Sequence, residues 1–354
     1  MNAPTDPLVL ELPHFRLERG GVLDPARLVY RTHGDLAPDR GNAVLLPTWF
    51  AGDHTSHEWL IGPGRPLDTD RYFVIVPNLF GNGLSSSPSN TPAPQAGADF
   101  PHVTMGDNVR AQHELVRLHF GIERLALVIG CSMGAQQTYQ WAVSYPDMVA
   151  RALPFCGSPK TSPHNGVFIE GLRAVLTTDP EWHRGRRAPG HAAGLRAFSR
   201  VYAGWGFSQA FYWNERYRSL GFDSVDEFLA GFWEPNFAGQ DTNDLLAMLW
   251  TWQHADVGAT GGAGGDVAKA LGTITARTLA MPAERDLYFP PEDEVRASAH
   301  IPDAEVRVIP GEWGHLAGSG ANPDDVAFIG RSVRELLASP ADGPRALGSR
   351  PGTG

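Results

Sequence analysis

Three side chains that together could carry out acyl transfer lie far apart in the sequence: Ser132, Asp286 and His315. A serine hydroxyl is a weak nucleophile, so it needs a base that takes its proton and an acid that orients the base. Histidine is the side chain that most often acts as the base. The order serine, acid, histidine along the chain is the order of one widespread form of this triad. The three residues therefore predict an enzyme that transfers or hydrolyses acyl groups.

Ser132 lies in "GCSMG", residues 130–134, which fits the pattern G-x-S-x-G. The apolar run "RLALVIG" precedes it and the helix-forming stretch "GAQQTYQWAVSYP" follows it. A sharp strand-to-helix turn of this kind exposes the serine oxygen above a sheet. We expect side chains at Gly130 and Gly134 to collide with the adjoining strand and helix. We also expect the backbone N–H of Met133 to stabilise an oxyanion.

The candidate acid and base each follow a predicted strand. Asp286 lies in "MPAERDLYFPPEDE", which also contains Glu284, Glu292 and Asp293 as competing acids. Glu284 is close to the strand, whereas the other two competitors fall in the first turn of the next helix, where carboxylates complement the helix dipole. His315 lies just past the next strand, between glycines, in "VRVIPGEWGHLAG". Asp286 and His315 are therefore the predicted partners of the serine.

The loop "LLPTWFAGDHTSHEW", residues 45–59, follows an earlier predicted strand. A second oxyanion donor comes from such a loop, so we expect it to be the N–H of Phe50 and expect Trp49 to line the substrate pocket. Two histidines and two acids at 53–58 raise the alternative of a metal site. The spacing "HTSHE" matches neither common zinc pattern and no third ligand is evident, so we predict no metal.

Predicted strands and helices alternate along most of the chain. Six short apolar runs closed by Gly, Pro or Asn are typical of strands buried on both faces of a parallel sheet: "NAVLLPTWF", "RYFVIVPNL", "RLALVIGCS", "ARALPFCGS", "ARTLAMPAE" and "AEVRVIPGE". Helical spacing separates them, as in "GDNVRAQHELVRLHFGI" behind a cap at Asp107 or Asn108. The pattern predicts an α/β fold with a mostly parallel central sheet, helices on both faces and an antiparallel edge hairpin in the first 35 residues.

The alternation stops between residues 161 and 272, a segment crowded with aromatic residues. An aromatic helical insertion between two strands is most simply a lid over the strand ends, although a second hydrophobic core without a site would have the same composition. We therefore divide the chain into a first core part at 1–160, a helical lid at 161–272 and a second core part at 273–339. The remaining residues, 340–354, are expected to be a disordered tail.

Composition argues against several classes of partner. The 354 residues carry a formal net charge of −10, which disfavours nucleic acid and anionic membranes. The N-terminus lacks the pattern of a signal peptide, and no run approaches the ~20 apolar residues that span a bilayer. The two cysteines, Cys131 and Cys156, argue against a structural disulfide. We expect a cytoplasmic protein without cofactor, nucleic-acid partner or membrane partner.

Several longer motifs resemble those of the homoserine O-acetyltransferase family of α/β-hydrolases over nearly the whole chain. They are "GPGRPLDTDRYFVIVPNLFG", "FPHVTMGDNVRAQHELV", "GCSMGAQQTYQWAVSYPDMV", "DPEW", "DLYFPP" and "GHLAG". The resemblance implies an α/β-hydrolase fold with a helical lid and a triad of Ser132, Asp286 and His315. It also implies an acyl-enzyme intermediate and a homodimer formed through the lid helices.

Two departures from the family pattern concern the acyl acceptor. Family transferases hold homoserine with an arginine and a tyrosine in an "RFD-x-NSYL"-like lid stretch and with an aspartate after the catalytic histidine. Here the corresponding stretch is "GQDTNDLL", with Gly239 at the arginine position and Leu245 at the tyrosine position, and Leu316 follows His315. Each charge of an amino-acid acceptor needs an opposite charge when it leaves water.

An apolar pocket that includes Leu245 and Leu316 favours water as the acyl acceptor. The chain is accordingly most similar to the short-chain alkyl acetate esterases that we include in this family. We predict a serine esterase that hydrolyses short-chain esters, with acetates as the preferred substrates. The alternative is an acyl-CoA-dependent O-acetyltransferase that uses a hydroxylated acceptor.

Overall fold

An eight-stranded sheet forms the centre of the protein. The computed structural model of the chain describes residues 6–179, 182–183, 186–187 and 193–340. The strands of the sheet are β1 Leu8–Leu12, β2 Ala26–His33, β3 Ala43–Leu45, β4 Phe73–Pro77, β5 Leu127–Cys131, β6 Arg151–Phe155, β7 Arg277–Ala280 and β8 Ala304–Val306. Their spatial order is β1-β2-β4-β3-β5-β6-β7-β8. β2 pairs antiparallel with β1 and β4, and the other pairs are parallel, which confirms the predicted sheet and its edge hairpin.

Helices flank the sheet and fill the segment between β6 and β7. The α-helices are α1 Met105–His113, α2 Met133–Ser144, α3 Pro163–Thr177, α4 Ala193–Gly206, α5 Gln209–Trp213, α6 Val225–Phe228, α7 Glu234–Ala238, α8 Thr242–Gln253, α9 Val267–Leu271, α10 Pro291–Ser298 and α11 Pro323–Ala338. Short 3-10 or π turns lie at Glu58–Leu60, Gly97–Asp99, Glu114–His119, Pro146–Met148, Arg216–Leu220, Leu229–Trp233, Val257–Ala259 and Gly314–Ser319. Two small antiparallel pairs join Phe15–Arg16 to Val22–Leu23 and Trp182–His183 to Arg186–Arg187. No helix within the described ranges is long and apolar enough to cross a membrane.

Both faces of the sheet are buried. Along β5, Val128 packs into a core that contains Trp141 of α2, whereas Ile129 packs into a second core that contains Val333 of α11. Successive side chains of a strand point to opposite faces, so a strand covered on both sides must be apolar throughout. This two-sided burial explains the unbroken apolar run before Ser132 and confirms helices on both faces.

Two local predictions are wrong. The last strand, β8, is not buried on both faces, because Ala304 and Glu305 are exposed at the edge of the sheet. The cap of α1 is Thr104 rather than Asp107 or Asn108. The Thr104 hydroxyl accepts the N–H of Asp107, and the Asp107 carboxylate accepts the N–H of Thr104. Asp107, which was predicted as the cap, is therefore the N3 residue of a capping box.

The aromatic segment between β6 and β7 forms a hydrophobic core of its own. Its buried rings are Phe168, Phe198, Tyr202, Phe207, Phe211, Tyr217, Phe228, Trp233, Phe237 and Trp252. The same cluster includes Met133, which directly follows Ser132, and Phe50, which lines the cavity beside Ser132. The segment is therefore a second core that reaches the candidate site. The division of the chain at 160 and 272 remains a prediction, and the predicted tail lies outside the described residues from 341 onward.

Asp244 ties helix α8 to the loop that follows β4. Its carboxylate accepts the backbone N–H of Ser89 at 2.9 Å and the Ser89 hydroxyl at 2.6 Å. The side chain is buried, and this burial raises the pKa of Asp244 to about 6 despite the two hydrogen bonds. The folded protein therefore holds a proton on this carboxyl more tightly than the unfolded chain, whose pKa is about 4.

We expect Asp244→Asn to weaken the pH dependence of stability. A raised native pKa contributes stability that is fully present below about pH 4 and is lost as the pH rises through 6. Between pH 7.5 and pH 5 this contribution grows by about 1 kcal/mol in the wild type and is absent in the variant. Urea unfolding at the two pH values measures it. Asp223→Asn, which removes an exposed carboxylate, is the matched control. Identical pH dependence in the wild type and Asp244→Asn would contradict the prediction.

Candidate active site

Ser132 lies in a strained turn between β5 and α2. Its φ of +57° and ψ of −121° belong to a region that residues with side chains rarely adopt. A Cβ atom on Gly130 would lie 2.3 Å from the Gly134 carbonyl, which confirms the collision expected with the helix. A Cβ atom on Gly134 would lie 2.6 Å from the carbonyl oxygen of Pro47. The absence of a side chain at Gly134 therefore allows the loop after β3, and not a strand as predicted, to pack closely against the start of α2.

We expect Gly134→Ala to destabilise the protein by about 1–3 kcal/mol, because the added methyl group must push the Pro47 carbonyl away. Gly171→Ala is the matched control, since Gly171 is exposed in α3 and a Cβ atom there would have no neighbour within 4 Å. That control should be neutral or up to about 1 kcal/mol more stable, because alanine favours a helix over glycine. Urea denaturation compares the two. Equal free energies of unfolding would contradict the close approach.

The structure brings Ser132, His315 and Asp286 into one hydrogen-bonded chain. His315 Nε2 lies 2.9 Å from Ser132 Oγ, and His315 Nδ1 lies 2.8 Å from Asp286 Oδ2. Ser132 follows β5, Asp286 lies in the loop after β7, and His315 lies in the short helix that follows β8. Parallel strands end at one edge of the sheet, which is why residues so distant in sequence meet there. All three side chains are buried.

The two oxygens of Asp286 have separate partners. Oδ1 accepts the backbone N–H groups of Tyr288 at 2.8 Å and Phe289 at 3.0 Å, which leaves Oδ2 for His315. The Tyr288 ring also packs edge-on against the imidazole, with 4.7 Å between ring centroids. Neither contact was predicted from the sequence. An aspartate often accepts the N–H groups of the residues two and three positions later in a turn. The hydrogen bonds of Asp286 could therefore have been predicted from "DLYF".

The competing acids lie elsewhere. Glu284 accepts the N–H of Gly311 at 3.0 Å. Glu292 and Asp293 lie in the first turn of α10, where the sequence predicted them. Of the four acids considered, the structure joins only Asp286 to His315 through a hydrogen bond.

The two predicted oxyanion donors border the nucleophile. Met133 begins α2 directly after Ser132, and Phe50 lies in the loop after β3, close to the point where Gly134 fits against Pro47. Both residues are buried, yet no acceptor among the described residues takes a hydrogen bond from either backbone N–H. Buried N–H groups nearly always have a partner. These two are therefore available to a bound oxygen atom.

A cavity of about 510 Å³ opens beside Ser132 and His315. Aromatic and aliphatic side chains form most of its wall: Trp49, Phe50, Trp59, Tyr202, Phe207, Phe232, Trp233, Phe237, Trp313 and Leu316. Among the residues that the structure describes, those lining this cavity include no Lys, Arg, Asp or Glu. The cavity thus suits an uncharged, compact ligand.

The predicted pocket residues have different outcomes. Trp49 and Leu316 line the cavity, whereas Leu245 is fully buried in the aromatic core and is not among the described lining residues. Leu245 belongs to α8, and the side of a helix that faces a cavity depends on how the helix packs. Two further wall residues, Trp59 and Trp313, were missed although they flank motifs that we identified.

The histidines of the loop after β3 do not converge. His54 Nδ1 lies 3.1 Å from the Asn78 amide nitrogen. His57 is fully buried with its ring 4.2 Å from the Trp49 ring, and burial lowers the pKa of His57 to about 3. Within the described ranges, no group of three or more His, Cys, Asp or Glu side chains could hold a metal ion. His57 therefore supports the Trp49 wall of the cavity as a neutral ring.

A family model described as the alpha/beta hydrolase fold matches residues 42–318, a range that contains the whole Ser132–His315–Asp286 chain. The chain belongs to the α/β-hydrolase family. The matched range contains strands β3 to β8, the strained serine turn and the acid after β7.

This α/β-hydrolase is similar to esterases and, at lower identity, to acetyltransferases. It is 43% identical to an ethyl acetate hydrolase of Pseudomonas veronii, over 92% of this chain and 93% of that protein. It is 34% identical to a homoserine O-acetyltransferase of Thermobifida fusca, over 91% of each chain. The structure of an acetylester hydrolase from Corynebacterium glutamicum matches with a TM-score of 0.91 at 40% identity, over 94% of this chain and 96% of that one. The family resemblance inferred from the motifs is confirmed.

Proposed function

We propose that this α/β-hydrolase is a serine esterase that hydrolyses short-chain carboxylic esters, with acetate esters as its preferred substrates. The observation that carries the proposal is the hydrogen-bonded chain Ser132–His315–Asp286 beside a cavity whose described lining has no acidic or basic side chain except His315. Similarity to proteins named ethyl acetate hydrolase and acetylester hydrolase supports acetate as the acyl group.

In the proposed mechanism Ser132 Oγ attacks the ester carbonyl while His315 Nε2 takes its proton. Asp286 keeps the other imidazole nitrogen protonated and stabilises the imidazolium that forms. The N–H groups of Phe50 and Met133 donate to the oxyanion. His315 then protonates the departing alcohol, and the acyl group remains on Ser132. A water molecule that gives its proton to His315 attacks this acyl-enzyme and releases the acid.

The second candidate is an acyl-CoA-dependent O-acetyltransferase, which similarity to the Thermobifida protein supports. The cavity argues against homoserine as its acceptor. Leu316 follows His315, and the described lining offers no cation for a carboxylate and no anion for an ammonium group. A charged acceptor that left water without such partners would lose several kcal/mol of hydration.

Assays of the purified protein with p-nitrophenyl acetate or ethyl acetate, and separately with acetyl-CoA and homoserine, distinguish the two functions. We expect ester hydrolysis to be the faster reaction. Acetyl transfer to homoserine that outpaces ester hydrolysis would overturn the esterase proposal. Absence of both reactions would overturn both candidates.

Leu316→Asp tests the apolar wall. A carboxylate at this position would have no cation among the described lining residues, so we expect kcat/KM for p-nitrophenyl acetate to fall at least about tenfold. Leu316→Asn has the same shape without the charge and should lose less. Neither variant should gain transfer to homoserine. An active transferase created by Leu316→Asp would show that a single charge selects the acceptor.

We further propose a homodimer formed through the lid helices, in the cytoplasm, with no cofactor, nucleic-acid or membrane partner. The lid in this proposal is 161–272, between core parts 1–160 and 273–339. Trp213 at the end of α5 is 88% exposed, which supports a contact surface on the lid. Sedimentation of the wild type and of Trp213→Ser tests the dimer.

The free thiols of Cys131 and Cys156 are consistent with a reducing compartment.

A further inference from the structure

We propose that Cys131 and Cys156 form an oxidisable thiol pair, a modification site that inactivates the esterase when the two sulfurs join as a disulfide. They are the two cysteines of the sequence. Cys131 ends β5 immediately before Ser132, and Cys156 directly follows the neighbouring strand β6. Both sulfurs lie within 3.2 Å of the point that a Cβ atom on Gly318 would occupy, and both side chains pack in the same core on one face of the sheet.

The two thiols differ in how a small oxidant reaches them. Cys131 lines the cavity beside Ser132, whereas Cys156 is fully buried. The neighbouring Cys131 thiol, burial and the nearby Asp286 carboxylate all raise the pKa of the Cys156 thiol. A small uncharged hydroperoxide that enters the cavity therefore meets Cys131 first, and Cys156 remains a protonated thiol beside it.

The reaction balances with one hydroperoxide as the oxidant. Cys131 Sγ attacks the O–O bond and becomes a sulfenic acid, and the rest of the peroxide leaves as an alcohol, or as water from hydrogen peroxide. Cys156 Sγ then attacks the Cys131 sulfur, so an S–S bond forms and the S–O bond breaks. The thiol proton and the displaced hydroxide leave as water. The two sulfurs lose two electrons, which the peroxide gains.

The thiol pair lies next to the backbone segments that carry Ser132 and His315. Cys131 is bonded to Ser132, and a Cβ atom on Gly318, three residues after His315, would lie 2.4 Å from Cys131 Sγ and 3.2 Å from Cys156 Sγ. A disulfide holds its sulfurs about 2.05 Å apart, closer than two separate thiols can approach. We expect closure of that gap to displace Cys131 and, with it, the neighbouring Ser132, whose φ of +57° already marks a strained turn.

Hydrogen peroxide treatment of the purified protein tests the proposal. After removal of the peroxide with catalase, we expect hydrolysis of p-nitrophenyl acetate to be about a hundredfold slower, the loss that a misplacement of about 1 Å can cause. Thiol titration of the treated and denatured protein should find no free thiol, whereas the untreated protein has two. Peptide mass spectrometry should find the Cys131–Cys156 disulfide, and dithiothreitol should restore activity and both thiols. Two free thiols after the loss of activity, or a complete disulfide with full activity, would overturn the proposal.

Two variants, each compared with its own untreated rate, separate the thiol pair from other oxidation. Cys131→Ser should keep its rate in peroxide, and loss as fast as in the wild type would overturn the proposal. Cys156→Ser should form no intramolecular disulfide and should lose activity that dithiothreitol no longer restores once Cys131 passes beyond the sulfenic acid. If Cys156→Ser does not fold, Cys156→Ala is used in its place. The thiol count does not depend on activity, so failure of this proposal and failure of the proposed esterase function are distinguishable.

Discussion

Ser132→Ala should abolish ester hydrolysis, with a fall in kcat of about 10⁶-fold. The substitution removes the oxygen that attacks the carbonyl, and no other group can replace it at the same position beside His315 Nε2. Initial rates with p-nitrophenyl acetate measure the loss. Ser144→Ala, at the far end of the same helix α2, is the matched control and should retain activity. Hydrolysis by Ser132→Ala at the rate of the control would remove Ser132 from its proposed role.

Asp286→Asn should lower kcat/KM by about 10⁴-fold while it leaves the fold intact. The amide oxygen can keep the N–H groups of Tyr288 and Phe289, so the amide nitrogen must face His315 Nδ1. An amide nitrogen only donates, and His315 then carries its proton on Nε2. In that tautomer the ring donates to Ser132 Oγ and cannot take its proton.

Glu284→Gln is the matched control for Asp286→Asn, because Glu284 lies two residues earlier and binds the Gly311 N–H rather than His315. We expect this control to retain most of its kcat/KM. Urea unfolding of both variants shows whether a loss comes from the fold. A larger loss in Glu284→Gln than in Asp286→Asn would transfer the acid role to Glu284.

The positions of the candidate triad could be predicted because each residue follows a local signal. Ser132, Asp286 and His315 each come just after an apolar run, and the carboxyl ends of parallel strands share one edge of the sheet. A strand that is buried on both faces, such as β5, can be recognised from its own sequence because all its residues are apolar. To predict that these three side chains meet, it was therefore enough to know where the strands end and that they run parallel.

The walls of the cavity could not be predicted in the same way. Leu245 is apolar and lies in α8, but the packing of this helix turns it into the aromatic core. Trp59, in the short turn Glu58–Leu60, and Trp313, in the loop before His315, reach the cavity from segments whose sequence shows no periodic pattern. Side-chain direction in loops and lid helices depends on contacts between elements, which a single sequence does not contain.

The uncharged lining of the cavity affects how readily the acid product leaves. An ester and its alcohol are neutral, but the acid formed from the acyl group is an anion near neutral pH, because carboxylic acids of this kind have a pKa of about 4 to 5. Since no Lys or Arg is present among the described lining residues, such an anion would give up hydration there with only the Phe50 and Met133 N–H groups and His315 as partners. Loss of hydration therefore opposes retention of the acid in the cavity. Accumulated acetate should compete weakly with the next ester, and turnover should continue as the product builds up.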